Sequence, residues 1–376
     1  MKNDLKGTGA NSALASELKD ICGHFQIEGE MTGCEEIKLG HINSTYYAHY
    51  RLPDGEKKTY VVQKINMYVF KNPRLIMENI EKISSHIRRK DPSAALDFHH
   101  TGGGRNYYIN KGSFWRLYTY VEGGTVDGGS RSGMLAAGKA FGRFQTDLHD
   151  FDGTALREVI PDFHNTKKRF AHLFATAAED PCGRAGDVDG ELAAAKRISG
   201  LACRISEEAE KGRFPVRPTH NDTKTNNVIV NEATGEPICV IDLDTVMPGL
   251  VLHDFGDAIR FGANRAAEDE PDLSKVGLDL DMFRAFAEGF IGETAKALTK
   301  DELDYMALGA LTMTAECGAR FLDDYLSGDQ YFRIAYPEHN LIRARNQLRL
   351  AEDMEAHMDE MNAIVFEIYH KAIDGN

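Results

Sequence analysis

The chain has 376 residues, of which 42% are hydrophobic and 27% charged, a globular composition with length for two or three domain-sized units and an ample core. A formal net charge of −14 argues against a surface built for nucleic acid or an anionic membrane, so an anionic ligand has to be held by local donors and metal against the overall field. Six scattered cysteines without a C-x-x-C pair indicate neither a zinc site nor a disulfide framework. Met1 to Asn11 lacks an apolar signal core and no run approaches membrane-spanning length, so a reducing cytoplasm is the expected location.

In chain order, the first third reads as a small β-rich lobe. Thr45 to Leu52 and Lys58 to Ile65 are β-branched and aromatic, joined by the Pro53-Asp54-Gly55 turn, and predict a hairpin. Asn72 reads as an N-cap with Pro73 at the first helical position, and Ile76, Ile80, Ile83 and Ile87 recur at helical spacing. Arg105 to Asn110 and Ser113 to Val121 predict another strand pair around Lys111-Gly112. Glu122-Gly123-Gly124 reads as a hinge, dividing the chain into residues 1–121 and 122–376. Beyond it, Gly133 to Asp150 predicts a helix, and Thr166 to Lys211 is a variable, charged stretch. Asp281 to Ala297, Lys300 to Leu326 and His339 to Ala372 predict three long helices. A small β lobe, a hinge and a large helical lobe leave room for a nucleotide cleft.

The densest polar segment lies between these helical regions. His220, Asp222 and Asn227 form a His-x-Asp-x-x-x-x-Asn pattern, then Val228-Ile229-Val230 and Pro237 to Ile241 predict two strands around a Thr-Gly turn, with Asp242 at the end of the second. Phosphoryl transfer in the kinase fold uses a carboxylate beside the acceptor hydroxyl and an Asn and a second Asp on the metal, and this spacing supplies all three. Asp222 is therefore the expected catalytic residue and a substrate contact, and Asn227 and Asp242 the expected Mg²⁺ ligands. Asp242-Leu243-Asp244-Thr245-Val246 also fits the start of a haloacid-dehalogenase-type phosphatase, in which Asp242 would be a nucleophile. That fold needs parallel α/β units to follow, whereas helical patterns follow here.

With Gly40 to Tyr46, Trp115 to Tyr118, Thr219 to Lys224, Ile241 to Gly249, Asp254 to Asp257, Ile259 to Ala263, Glu316 to Leu322 and Tyr336 to Leu341, the sequence resembles the aminoglycoside phosphotransferase and choline kinase superfamily, and within it the bacterial N-acetylhexosamine 1-kinases. The resemblance implies an α+β, protein-kinase-like fold of two lobes, ATP and Mg²⁺ as cofactors, and a small amino sugar phosphorylated at its anomeric hydroxyl. It makes His41, Phe261, Arg320 and Tyr331 candidate sugar contacts beside Asp222. It also makes Asn43, Ser44, Thr45, Gln63, Tyr120 and Val121 candidate nucleotide contacts.

Some of these residues have plainer readings. Arg320 and Glu316 lie four apart and fit an exposed helical ion pair worth about 0.3–0.5 kcal/mol. Phe261 and Tyr331 fit a core, and Asp244, Asp254 and Asp257 fit polar loop positions. No G-x-x-x-x-G-K-[ST] occurs, so P-loop chemistry is unsupported. Gln63 stands where the kinase fold has a strand lysine for the α and β phosphates, with Lys64 on the other strand face. Glutamine donates a hydrogen bond but supplies no charge, so metal and backbone donors must carry more of the phosphate charge. The usual lysine-to-helix ion pair cannot then be assigned to Glu78 or Glu81. Choline, homoserine and aminoglycosides are the alternative acceptors; a cationic acceptor calls for carboxylates and aromatic faces, whereas His41 and Arg320 suit a neutral polyol.

Overall fold

In the computed structural model, which describes residues 8–37 and 42–375, the chain divides into two units, Met1–Glu122 and Gly123–Asn376. In the first, α1 (Thr8–Cys22) precedes β1 (Glu30–Ile37), β2 (Ser44–Arg51) and β3 (Lys57–Ile65). Helix α2 (Pro73–Lys90) then leads to β4 (Tyr108–Asn110) and β5 (Ser113–Thr119). The five strands form one antiparallel sheet in the order β1-β2-β3-β5-β4. Side chains alternate across the pleat, so Ala48, Tyr50, Tyr60, Val62, Trp115 and Leu117 share one face and pack with Leu18, Ile21 and Cys22 of α1. The other face carries Thr45, Gln63 and Arg116 in direct cross-strand register.

The β2–β3 hairpin and α2 follow the sequence closely. Gly55 turns the hairpin at φ +92°, a conformation that favours glycine. Ile76, Ile80, Ile83 and Ile87 form the buried stripe of α2, but Asn72 makes no side-chain capping bond, leaving Pro73 as the start signal. The strand expected from Arg105 begins only at Tyr108. Arg105 is taken up by a turn in which its carbonyl accepts from the Thr101 N–H at 2.7 Å, and the Asn106 amide donates to the Met77 carbonyl of α2 at 2.9 Å.

The second unit begins with β6 (Gly124–Thr125) and α3 (Arg131–Asp147), followed by α4 (Thr166–Glu179), α5 (Asp189–Ala202) and α6 (Arg204–Glu210). Four short strands come next: β7 (Arg217–Thr219), β8 (Val228–Val230), β9 (Pro237–Val240) and β10 (Met247–Gly249). The remainder is α7 (Val251–Gly262), α8 (Leu280–Thr294), α9 (Lys300–Leu326), α10 (His339–Ala356) and α11 (Met358–Asp374). β6, β8 and β9 form one antiparallel sheet and β7 pairs with β10 in another. Every strand pairing among the described residues is antiparallel, which removes the parallel α/β framework that the phosphatase reading requires.

α9 is the central helix. Its start is fixed by a capping box in which Thr299 and Glu302 satisfy each other's backbone N–H, and α4, α5, α7, α10 and α11 pack around it. α3 and α8 approach closely because a Cβ on Gly138 would strike the carbonyl oxygen of Phe286. The stretch from Thr166 to Lys211, expected as variable, folds into three helices that bury Phe170, Leu173, Ala195, Ile198 and Ile205. The helix expected over His339 to Ala372 is two. It breaks at His357, whose imidazole Nδ1 donates to the Asp353 carbonyl at 2.8 Å and competes with the backbone there.

Candidate active site

The loop joining β7 to β8 is held in place by two carboxylates of α7. Asp254 is fully buried; its Oδ2 accepts the backbone N–H of His220 at 2.9 Å and its Oδ1 that of Asn221 at 2.8 Å, while Gln145 of α3 donates to Oδ2 at 2.8 Å. Asp257 accepts the Thr223 N–H at 3.1 Å, and the Thr223 hydroxyl donates to the Asp254 carbonyl at 2.7 Å. Burial pushes both carboxyls upward. In Asp254 this prevails over the pull of His220 and the hydrogen bonds, whereas in Asp257 the charges of Arg260 and Lys224 hold the carboxyl below its usual range. His220 is itself buried, with Nε2 donating to the Ile241 carbonyl at 2.9 Å and its ring edge-on to Phe141 and Phe144. The plainer reading of Asp254 and Asp257 as polar loop residues does not hold: they sit on α7 and shape the loop.

Asp222 is half-buried in this frame. Its Oδ1 accepts from Lys224 Nζ at 2.8 Å and its Oδ2 from Asn227 Nδ2 at 3.1 Å; the same amide donates to the Asp222 carbonyl at 2.9 Å. Burial draws the Lys224 ammonium down, but Asp222 and Asp257 together hold it above its ordinary value. With its amide nitrogen committed to Asp222, Asn227 keeps its oxygen for another partner. Across the hairpin, the Ile241 N–H donates to the Asn227 carbonyl at 2.9 Å, which places the exposed Asp242 one peptide away from that pairing. Asn221 and Asp242 both adopt left-handed backbone, φ 62° and 60°. Short polar side chains tolerate that conformation best, and such strain clusters at functional sites. The oxygens of Asn227 and Asp242 are hard donors of the kind Mg²⁺ takes.

Glu316 is not a surface partner of Arg320. It is buried and receives His164 Nδ1 at 2.9 Å and the Thr166 hydroxyl at 2.7 Å. Burial pushes its carboxyl up, but His164, Arg320 and Thr166 outweigh that and hold it below the usual range. The Arg320 guanidinium instead lies 5.2, 5.7 and 5.5 Å from the ring centres of Phe163, Tyr331 and Phe332, and among the described residues it has no hydrogen bond or ion pair. Asp324 positions two of those rings by accepting the backbone N–H of Tyr331 at 2.8 Å and of Phe332 at 2.9 Å. A cavity of about 170 Å³ lies nearby, lined in part by Phe163, His164, Asn221 and His253. Phe261, 41% exposed on the last turn of α7, is not among the rings around Arg320, and neither it nor Tyr331, 62% exposed, is a core residue.

In the first unit, Gln63 accepts from Arg116 Nε at 2.8 Å and donates to the Thr45 hydroxyl at 3.1 Å. Lys64 lies on the opposite face, 5.6 Å from the centre of the Trp115 ring. Asn43 accepts the Asn66 N–H at 3.0 Å, tying the start of β2 to the end of β3, and the exposed Ser44 opens β2 opposite Lys64. The Tyr120 N–H donates to the Thr59 carbonyl at 3.0 Å, and the half-buried Val121 follows. Glu81 is engaged by Asn106 at 2.9 Å and by His100 at 3.1 Å. His41 lies outside the described residues. Sequence reasoning passed over Lys224, Phe163 and Phe332. Lys224 stands two residues after Asp222 and was open to inference as its neighbour; nothing local marks the two phenylalanines, which meet Arg320 only through the fold.

Residues 33–286 match the model of the phosphotransferase enzyme family. Among solved structures, an aminoglycoside phosphotransferase from Alicyclobacillus acidocaldarius aligns with a TM-score of 0.61 at 11% identity, covering 98% of each chain. A microcompartment-associated aminopropanol kinase aligns at 0.62 with 13% identity, over 92% of this chain and 98% of that one. Spectinomycin phosphotransferase, solved with ADP and spectinomycin, aligns at 0.59 with 14% identity, over 91% and 98%. At these identities the structural likeness carries the fold, which is the kinase-like α+β architecture that the motifs imply.

Proposed function

The chain belongs to the phosphotransferase enzyme family, and from that premise we propose that it transfers the terminal phosphoryl group of ATP, with Mg²⁺, to the anomeric hydroxyl of N-acetylglucosamine or N-acetylgalactosamine. The observation that carries the reading is the joint anchoring of Asp222, Asn227 and Asp242 in one loop and hairpin. Asp222 accepts a hydrogen bond from the acceptor hydroxyl and aims its oxygen for in-line attack. Lys224 and Asn227 fix the rotation of that carboxylate. Mg²⁺, when bound by Asn227 and Asp242, neutralises phosphate charge. The anomeric oxygen is more acidic than other sugar hydroxyls because the ring oxygen withdraws electron density, so Asp222 need not be a strong base.

For the acceptor, support comes from Arg320, whose planar fork is held among aromatic rings with its donors uncommitted among the described residues. Tyr331, Phe261 and His41 complete the sugar contacts in this reading. In the same reading residues 1–121 form the nucleotide lobe, with Asn43, Ser44, Thr45, Gln63, Tyr120 and Val121 on the nucleotide, and residues 122–376 carry catalysis and the sugar. The ADP in the spectinomycin phosphotransferase structure supports nucleotide use here. The experiment is an ADP-release screen over amino sugars, choline, homoserine, aminopropanol and aminoglycosides. Turnover confined to the amino sugars supports the proposal; turnover only with a cationic acceptor refutes its sugar part.

A further inference from the structure

We infer that Arg116 supplies, through the side-chain amide of Gln63, the positive charge that the kinase fold ordinarily places on the third strand as lysine. This rests on the reading of Gln63 as a phosphate contact. Thr45, Gln63 and Arg116 lie directly opposite one another on β2, β3 and β5, on the sheet face not covered by α1. Their polar atoms form one directed chain: Arg116 Nε donates to Gln63 Oε1 at 2.8 Å, and Gln63 Nε2 donates to the Thr45 hydroxyl at 3.1 Å. Gln63 thereby has its carbonyl end fixed by a cation and one N–H fixed by Thr45. Its second N–H has no partner among the described residues.

The chemistry follows from that order. Arg116 is 2% exposed, so its charge is poorly screened by water at the sheet. A guanidinium donating into an amide oxygen polarises the amide, and the N–H at its far end becomes a stronger donor. An amide in this position does what a lone glutamine cannot: it presents a donor backed by a permanent charge. A chain of net charge −14 needs such a local source if it is to hold an anionic nucleotide. Lys64 cannot provide it, since its ammonium lies over Trp115 on the other face. Arg116 is in this sense a positioning residue, acting on phosphate through Gln63 and not by contact.

The test compares binding of Mg²⁺-ATP with binding of adenosine by the full chain. Arg116→Met is expected to weaken ATP binding about 10-fold or more, because the Gln63 N–H loses the charge behind it and falls back to a neutral donor, and to leave adenosine within about twofold. In Arg116→Met, adding Gln63→Lys should restore most of the lost ATP affinity, because the charge then comes from residue 63 itself. In the otherwise native chain Gln63→Lys sets a second cation against Arg116, and its gain should stay under about threefold. That variant alters a half-buried residue and reports even where Arg116→Met does not fold: a gain of about 10-fold or more there overturns the inference. Equal effects of Arg116→Met on ATP and adenosine, or none on either, also overturn it while leaving the kinase reading intact. A native chain that binds no Mg²⁺-ATP overturns both.

Discussion

Asp254 takes the backbone N–H of Asn221 at 2.8 Å, so a carboxylate on α7 holds the residue before the candidate catalytic aspartate, together with the Asn221 side-chain amide's own bonds to the Thr219 and Thr245 carbonyls. Asp254 also takes the His220 N–H at 2.9 Å. Two consecutive amides are thereby aimed inward, and Asn221 is held in left-handed backbone from which Asp222 projects.

Asp254→Ala should leave two inward-facing N–H groups and Gln145 without this acceptor. An unsatisfied buried group costs about 1–3 kcal/mol, so the urea midpoint should fall clearly and turnover should fall with it although Asp222 is unchanged. An unaltered midpoint and rate would show that the loop holds its shape without α7.

Asp242→Asn is expected to lower activity in a metal-dependent way, with partial rescue at high Mg²⁺, since the change weakens a charged oxygen donor. The phosphatase alternative predicts a phosphoryl group covalently attached to Asp242 and turnover without ATP. Acid-quenched mass spectrometry distinguishes the two, and a phosphorylated Asp242 would defeat the kinase assignment.

Arg320→Ala should raise the KM for the amino sugar about 10- to 150-fold, the range for losing a charged hydrogen bond of roughly 1.5–3 kcal/mol, and change the KM for ATP little. Stability should shift less than the acceptor KM, because Arg320 makes no hydrogen bond or ion pair with Glu316, whose hydrogen-bond partners are His164 and Thr166. Small, equal effects on both substrates would remove Arg320 from the acceptor site.

The fold and the site were legible in the sequence to different depths, for physical reasons. Ile76 to Ile87 could be read because burial repeats at helical spacing, and Lys300 to Leu326 as a long run without proline, although its middle, Met306 to Glu316, is buried on every side. Helix α1 could not, since among its described side chains the buried Leu18, Ile21 and Cys22 lie close together within little more than one turn. The Asp222, Asn227 and Asp242 pattern is local and visible. Asp254 and Arg116 act across 33 and 53 residues of chain, through partners that no spacing rule brings together.

His253 gives a pH prediction. Burial first, then the neighbouring His164, depress its imidazole to about 3, while the unfolded chain titrates near 6.5. Its folded pKa is lowered, so its contribution is fully present above about pH 6.5 and is lost as pH falls toward 3, by about 1.4 kcal/mol per pH unit. His253→Gln should flatten the decline of stability over that window, measured as urea unfolding at a series of pH values. A decline as steep as that of the native chain would mean that His253 is charged in the folded protein.

In the proposed reaction Asp222 directs phosphoryl transfer from ATP to the anomeric oxygen of an N-acetylhexosamine. The most direct measurement is phosphorus NMR of reactions containing ATP, Mg²⁺ and N-acetylglucosamine or N-acetylgalactosamine, run with the native chain and with Asp222→Asn. The native chain should give a sugar 1-phosphate signal, and the variant a rate about 10²–10⁴-fold lower with nucleotide binding retained. Near-native turnover by Asp222→Asn, or a product phosphorylated at another hydroxyl, would contradict the proposed reaction.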